Sequence, residues 1–171
     1  MKKVLFLICI LFVLGCNQNN TATNQNREFF EFDQVDHYSF FSQNHFVEFM
    51  KTLNRDSLGF NIIYNEEPKS ITDSIFEQNL TRIGLSKNTI SESKYKEISY
   101  LFSESDCTDG IETACEPIFR DILVFKKEEK TTGIAKICFE CYKAYIIGTE
   151  KDTSNFTNCD NLSKLHRILY K

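Results

Sequence analysis

The sequence predicts one α+β domain, in which an antiparallel sheet with a central hairpin is covered by about four helices. Two observations lead to this fold class. Segments 118–125 and 133–147 are rich in Ile, Val and Phe, as paired strands are. Other segments space apolar residues three and four apart, which is the period of an amphipathic helix. The order β-α-β-α-α-β-β-α is typical of α+β domains with helices on one face of the sheet.

The N-terminal elements are predicted from these two periods. Aromatic residues that alternate with acids predict a first strand within 28–41, and apolar spacing predicts the helices. The short apolar run at 60–64 predicts a second strand, and Gly84 lies where a left-handed glycine ends a helix. The predicted helices here are 46–53, 71–83 and 95–102.

The central hairpin follows an acidic loop at 103–116. Its first strand, 118–125, is too apolar for an exposed edge and is expected at the centre of the sheet. The charged segment 126–132 predicts a turn, with its tightest point near Glu128 and Glu129, and 133–147 predicts one long second strand. A last helix has Leu162, Leu165, His166 and Leu169 on one face.

The first fifteen residues are organised like an export signal. Two lysines precede an unbroken apolar run from Val4 to Leu14. The run is shorter than the roughly 20 residues of a membrane-spanning helix, but it suits the core of a signal peptide. It ends in Gly15-Cys16, and the whole segment resembles the lipobox signal of bacterial lipoproteins. That resemblance implies removal of residues 1–15 and lipid modification of Cys16 with fatty acids such as palmitate, which would anchor the chain to a membrane.

The rest of the chain divides into a tether and one domain. Residues 16–27 are mostly Asn, Gln and Thr and predict a flexible tether, whereas 28–171 is long enough for a single domain. Residue 17 is Asn, whereas an Asp at this position resembles an inner-membrane retention signal. We therefore expect the protein to be anchored at the periplasmic face of the outer membrane. The net charge is −4 without a basic stripe, which argues against nucleic acid as a partner.

Five of the seven cysteines remain once the signal peptide and the lipid-modified residue are set aside: Cys107, Cys115, Cys138, Cys141 and Cys159. Export makes disulfides the first expectation, and an odd number leaves at least one cysteine without a partner in the chain. The tight hairpin turn would bring Cys115 level with Cys141, so this is the preferred pair. Cys107 or Cys159 would then meet Cys138.

The Cys138-Phe-Glu-Cys141 motif also allows two chemical alternatives. A thioredoxin-like site needs its cysteines at a helix N-terminus, whereas this motif lies in a strand pattern that points residues three apart to opposite faces. A zinc site could combine Cys138, Cys141, Cys159 and His166. The motif lacks the turn that such sites favour, and His166 falls on an apolar helix face, where a core histidine is expected.

The polar residues of the hairpin, Arg120, Asp121, Lys136 and Glu140, could line a catalytic face. Cross-strand charge pairing on the solvated side of the sheet is the preferred interpretation. The acidic loop does not match a calcium-binding loop, because the ligand positions before Gly110 are Ser105, Cys107 and Asp109. Neither His37 nor His45 has a recognisable nucleophile nearby in the sequence.

Residues from Cys107 onward are similar to a group of small bacterial lipoproteins with the same hairpin pattern, Arg-Asp-Ile-Leu-Val-Phe followed by Ile-Cys-Phe-x-Cys. The resemblance implies no activity. We therefore expect a non-enzymatic, lipid-anchored cell-envelope domain without a cofactor, which binds an envelope protein or a small ligand. The alternative is a thiol redox or zinc-binding protein that uses Cys138, Cys141 and a third cysteine. Size and acidity also allow a partner that neutralises a toxin.

Overall fold

The computed structural model describes residues 27–55, 57–111 and 113–171. The predicted signal peptide, Cys16 and nearly all of the tether lie outside these residues. The described residues form five strands and five α-helices. In chain order these are β1 (Gln34–Phe40), α1 (Gln43–Thr52), α2 (Leu58–Tyr64), α3 (Phe76–Arg82), β2 (Leu85–Thr89), α4 (Tyr95–Leu101), β3 (Asp121–Lys127), β4 (Lys130–Cys138), β5 (Lys143–Ile147) and α5 (Asn161–Tyr170). No helix within the described residues has the length and apolar character that crossing a membrane requires.

The five strands form one antiparallel sheet in the order β2-β1-β3-β4-β5. This is the predicted α+β fold with the hairpin β3–β4 inside the sheet. Glu128 and Glu129 form its turn, both with positive φ, as two-residue hairpin turns that match the strand twist require. Lys127 pairs with Lys130 across the turn, so the predicted tight turn is confirmed.

Helices pack on both faces of the sheet, whereas the sequence predicted one covered face. On one face α4 and α5 bury Leu123, Phe125, Ala135 and Ile137, together with a group of phenylalanines that includes Phe30. A Cβ atom at Gly133 would lie 2.2 Å from the ring of Phe30, so glycine leaves the room for that ring to lie on the sheet. On the other face α2 and α3 cover Ile122, Val124 and Ile134. The alternate residues of β3 are therefore apolar on both sides, as in a central strand.

Two predicted strands are wrong in the structure. Residues 60–64 belong to α2, where the Ser57 hydroxyl accepts the Phe60 amide and Gly59, Ile62 and Ile63 are buried at helical spacing. A short apolar run does not distinguish a strand from a buried helix turn. The predicted strand 133–147 is two strands, because a turn at 139–142 reverses the chain and Tyr142 has positive φ.

Helix α3 and strand β2 correct the boundaries of the next region. The helix predicted over 71–83 is confirmed only for Phe76–Arg82, and Gly84 follows it with φ 97°, as predicted. Strand β2 was not predicted, since only Leu85 of its residues is buried. It is an edge strand that pairs with β1 alone, so its formation depends on that partner and not on its own apolar pattern.

Candidate functional site

The cysteines form two pairs. Cys115 pairs with Cys141 at a Cα–Cα distance of 5.6 Å, which confirms the preferred disulfide. Cys107 pairs with Cys159 at 6.2 Å, so the expectation that one of these two meets Cys138 is wrong. The reason is that residues 105–109 lie against the segment before α5. The side-chain amide of Asn158 donates to the Cys107 carbonyl at 3.0 Å.

The zinc alternative has no ligand set in the structure. Cys141 and Cys159 belong to different disulfides, and His166 is exposed instead of lying in the core as predicted. The sulfurs of Cys107 and Cys159 do lie near a carboxylate oxygen of Asp109, but both sulfurs are committed to their disulfide. Among the described residues, no cysteine of the proposed set except Cys138 keeps a free thiol.

The CxxC motif lies at a strand end and in the turn after it, not within one strand as predicted. Cys138 ends β4, Cys141 lies in the turn, and both side chains pack against Phe119. The Cys138 side chain is 2% exposed, and its sulfur accepts the Ile118 amide at 3.4 Å. A thiol redox site needs an accessible thiol with a lowered pKa, usually near a helix N-terminus or a cation. Cys138 has neither the exposure nor the helix terminus.

The four polar residues of the hairpin divide into two buried and two accessible side chains. Asp121 and Lys136 are buried and face opposite sides of the sheet, since Asp121 pairs with Ile137 and Ile122 pairs with Lys136. Arg120 and Glu140 form an ion pair outside the strands. The predicted solvated position is therefore wrong for Asp121 and Lys136, because helices cover both faces of the sheet. The predicted charge pairing holds for Arg120 and Glu140, just outside β3 and β4.

Three of these residues, Arg120, Asp121 and Glu140, line a cavity of about 290 Å³ at one end of the sheet, which we call the end pocket. It lies where β1 and β4 end and β3 begins, between the start of α1 and the last turns of α5. Residues 39–43 and Phe46 form one wall, and Phe139, His166 and Tyr170 form the other. Antiparallel pairing places these chain ends at one edge of the sheet, so residues far apart in sequence meet there.

Asp121 holds the inner part of the end pocket together. Its Oδ1 lies 2.8 Å from His37 Nε2, and the Tyr170 hydroxyl donates to the same oxygen. Burial, and then the adjacent Asp121 carboxylate, raise the pKa of Tyr170, so its hydroxyl stays protonated and acts as a donor. A buried carboxylate with two partners is well satisfied. Its arrangement fixes the position of the Tyr170 ring.

Arg120 is fixed on the opposite wall. Its guanidinium pairs with the Glu140 carboxylate, donates to Gln43 Oε1 at 3.2 Å and lies 5.0 Å from the centre of the Phe46 ring. Planar guanidinium groups stack on aromatic faces in this way. The pair places one cation and one anion side by side at the entrance.

Aromatic rings form an exposed rim around these groups. The ring of His166 lies 5.0 Å from Phe139 and 4.8 Å from Tyr170, so the three rings make a continuous surface. Tyr170 remains 51% exposed and Phe41, across the pocket, 77% exposed. Full burial of a Phe side chain stabilises a fold by about 1.5–3 kcal/mol, and an exposed Phe lacks most of this stabilisation.

Sequence patterns draw attention to five polar residues of this region but do not bring them together: Arg120, Asp121, Glu140, His37 and His166. No sequence pattern singles out Phe41, Gln43, Phe139 or Tyr170. One signal was present, because His166 and Tyr170 are four residues apart on the last helix and therefore share a face. The other walls depend on strand order, which local patterns do not determine. His45 lies at the margin, with its ring 5.5 Å from Phe41.

Two further buried charges lie outside the end pocket. Lys136 is 0% exposed and donates to the carbonyl oxygens of Asn65 and Glu67, with the Phe119 ring 4.7 Å away. Burial lowers the pKa of Lys136 to about 7. Its partners are backbone carbonyls and a ring, so it fixes the segment before Pro68 against the sheet.

Asp36 is the second buried charge, on β1. It accepts from Thr89 at 2.7 Å and pairs with Lys87 and Lys126, at 2.8 and 3.0 Å. Burial alone would raise the pKa of Asp36, but the hydrogen bonds from Lys87, Thr89, Lys126 and Gln34 outweigh it and lower the pKa. This network joins β1 to its neighbours on both sides.

No family model, curated protein or solved structure matches the chain. The geometry of the end pocket therefore carries the functional argument.

Proposed function

We propose that this protein is a lipid-anchored cell-envelope protein whose folded domain binds a small ligand in the end pocket and has no catalytic role. The observation that carries the proposal is the combination in one cavity of exposed aromatic rings with polar groups that are already held in place. Ligand sites commonly combine aromatic walls with a few fixed polar groups. Half of the residues that line the end pocket carry aromatic rings: Phe40, Phe41, Phe46, Phe139, His166 and Tyr170.

The fixed polar groups favour binding over catalysis. Asp121 is occupied by His37 and Tyr170, and Arg120 is occupied by Glu140 and Gln43. A catalytic nucleophile would need a hydroxyl or thiol beside a free general base. The only histidine that contacts a buried carboxylate among the described residues, His37, is itself 3% exposed. Groups that are held in this way preorganise a surface, which lowers the entropic cost of binding.

The envelope location is supported by two independent features. The lipobox-like segment ending at Cys16 predicts export and acylation, and two cysteine pairs in the domain favour an oxidising compartment. The lipid anchor and the flexible tether would present the end pocket of the folded domain to the periplasm.

The anchor and the pocket are tested separately in the full chain. Cells fed labelled palmitate should incorporate it into the wild type but not into the Cys16→Ser variant. Equal labelling of both proteins would contradict the proposed lipid anchor at Cys16. For the pocket, the full chain in lipid nanodiscs is titrated with a mixed library of water-soluble fragments by protein-observed NMR. Amide shifts should concentrate at 39–43, 120–121 and 139–140.

The matched variants use exposed aromatic residues. Phe41→Ala should abolish the fragment-induced shifts, whereas Tyr100→Ala should leave them unchanged, because Tyr100 is 65% exposed on α4 outside the end pocket. Shifts that are spread over the surface, or that survive Phe41→Ala, would contradict a binding site here.

A further inference from the structure

We propose that the ligand of the end pocket is a saccharide, bound with one sugar ring on the aromatic rim and its hydroxyls on the Arg120–Glu140 pair. This inference rests on the proposed function and specifies the ligand class of the same site. The shared chemistry is an uncharged polyhydroxylated ring. It could come from an envelope glycan or from a free oligosaccharide.

The exposed rings of the aromatic rim offer their flat faces to a ligand, in addition to apolar surface. Aromatic rings carry negative charge on their faces, which attracts the weakly positive C–H groups on one side of a sugar ring. Tyr170 is half exposed although its hydroxyl is bound to Asp121, so its ring is displayed while its polar end is satisfied. Phe41 across the pocket presents a second ring at 77% exposure. A fully apolar ligand would not require the polar groups between them.

The charges at the entrance are already balanced. Glu140 neutralises Arg120, and Glu140 is itself accessible, with its side chain 59% exposed. An anionic ligand would be repelled by the Glu140 carboxylate beside Arg120, and a cationic ligand by the Arg120 guanidinium beside Glu140. A hydroxyl is both a donor and an acceptor, so it can bind to the adjacent guanidinium and carboxylate without disturbing the pair. An uncharged polyol therefore fits better than an ion.

Unused hydrogen-bonding capacity is available for such a ligand. A guanidinium has five N–H donors and a carboxylate about four acceptor positions. The contacts to Gln43 and Glu140 use only part of the Arg120 set. Gln43 is exposed at the rim and adds a planar amide group beside them. These planar polar groups match pairs of neighbouring hydroxyls, as the guanidinium does with two oxygens of a carboxylate.

The size of the end pocket limits how much of the ligand enters it. Its volume of about 290 Å³ is at the small end of ligand pockets. One sugar ring of a longer chain would enter, and a neighbouring sugar ring would lie outside over Phe41.

The test uses the full chain in lipid nanodiscs with chitotetraose, cellotetraose and maltotetraose as soluble probes, and with purified peptidoglycan sacculi as the envelope glycan. At least one soluble probe should shift the amides of 39–43 and 139–140 at concentrations up to about 10 mM. Phe41→Ala should weaken that binding about tenfold, as expected for the loss of one stacking contact. Tyr100→Ala should not change it. Cosedimentation with sacculi, lost in Phe41→Ala, would support the inference with the envelope glycan as the source.

The outcomes separate this inference from the proposed function. If fragments bind in the end pocket but no oligosaccharide or sacculus does, the inference that the ligand is a saccharide is overturned and the proposed function stands. If a saccharide binds with equal affinity to wild type and Phe41→Ala, the site assignment is overturned. If neither fragments nor saccharides bind, both proposals fall. Glu140→Gln gives an independent check, because it keeps the shape of the side chain and removes its charge. It should retain saccharide binding within a few-fold. Complete loss of saccharide binding in this variant, or binding of acidic fragments but no saccharide by the wild type, would overturn the inference.

Discussion

His37 and Asp121 lie on neighbouring antiparallel strands and meet at 2.8 Å between Nε2 and Oδ1, although 84 positions separate them in the chain. Both side chains are almost completely buried, and the Tyr170 hydroxyl joins them from the end of α5. The contact therefore ties β1, β3 and the last helix together beneath the end pocket. The Asp121 carboxylate is therefore occupied by His37 and Tyr170.

Replacing Asp121 by Asn should destabilise the chain, because two donors lose their charged acceptor in a buried place. We expect the free energy of unfolding to fall by about 1–3 kcal/mol. Chemical denaturation measures it, with Asp109→Asn as the control, since Asp109 is exposed and should show little change. A variant as stable as the wild type would mean that Asp121 does not support α5.

The Asp36 network gives a second prediction with a definite pH dependence. Asp36→Asn should cost about 3 kcal/mol at neutral pH, because Lys126 then loses a partner in a largely buried position. The carboxyl pKa is lowered in the folded chain. The stabilisation is therefore complete above the unfolded pKa of about 3.9 and is lost as the pH falls through the lower folded value. Denaturation of both proteins between pH 2 and 7 measures this.

The expected result is a stability difference between wild type and Asp36→Asn that is constant from neutral pH to about 4 and narrows below it. Asp106→Asn is the control, because its pair with Arg27 is exposed to solvent. That variant should lose far less stability at neutral pH. A stability difference between wild type and Asp36→Asn that becomes larger at acidic pH would contradict the direction of the pKa shift.

The central hairpin shows what local sequence determines. The charged turn at Glu128 and Glu129 fixes the register of β3 and β4, and a fixed register decides which distant residues lie level. The position of the turn predicted the Cys115–Cys141 pair only approximately, because β4 ends at Cys138 and Cys141 lies in the turn after it, outside the paired residues. The strongly apolar character of 121–125 likewise placed β3 at the centre of the sheet.

The candidate site could not be predicted from local sequence patterns, because it depends on tertiary packing. His166 lies among apolar positions of α5, yet its ring is exposed because the sheet ends beneath the last turns of that helix. Lys136 was expected on a solvated face, yet the segment after α2 covers it, with the carbonyl oxygens of Asn65 and Glu67 on its ammonium group. Polar residues were predictable as polar, but their burial and their partners are consequences of tertiary packing.

Lys136 provides a third prediction, in alkaline solution. Its pKa is about 7 in the folded chain, lowered by burial, and about 10.4 when unfolded. Between these values the unfolded chain binds one more proton, so the free energy of unfolding rises with pH, by up to about 1.4 kcal/mol per pH unit. Lys136→Met should remove this slope between pH 7 and 9, whereas Lys96→Met, on an exposed position of α4, should keep it. If the free energy of unfolding depends on pH in the same way in wild type and Lys136→Met, the lowered pKa of Lys136 is refuted.

The two disulfides should differ in their contribution to stability. In the loop-entropy model, a bridge that closes 52 positions stabilises more than one that closes 26. We expect losses of about 4 kcal/mol for Cys107→Ser with Cys159→Ser, and about 3.5 kcal/mol for Cys115→Ser with Cys141→Ser. Cys138→Ala, which removes a thiol outside both bridges, should cost less than either pair. The order is measured by denaturation without reductant, and an inverted order would point to native-state contacts instead of chain entropy.

The remaining thiol gives the most direct check on the thiol redox alternative. Cys138 is buried beside Phe119, so iodoacetamide at neutral pH should modify it slowly in the folded chain and fully after denaturation. Peptide mapping without reductant should recover the Cys107–Cys159 and Cys115–Cys141 cross-links and a single alkylated cysteine. The exposed position of Cys115 provides an internal comparison, because mild reduction should make it react faster than Cys138. Rapid modification of Cys138 in the native, unreduced chain would show an accessible thiol and restore the redox alternative.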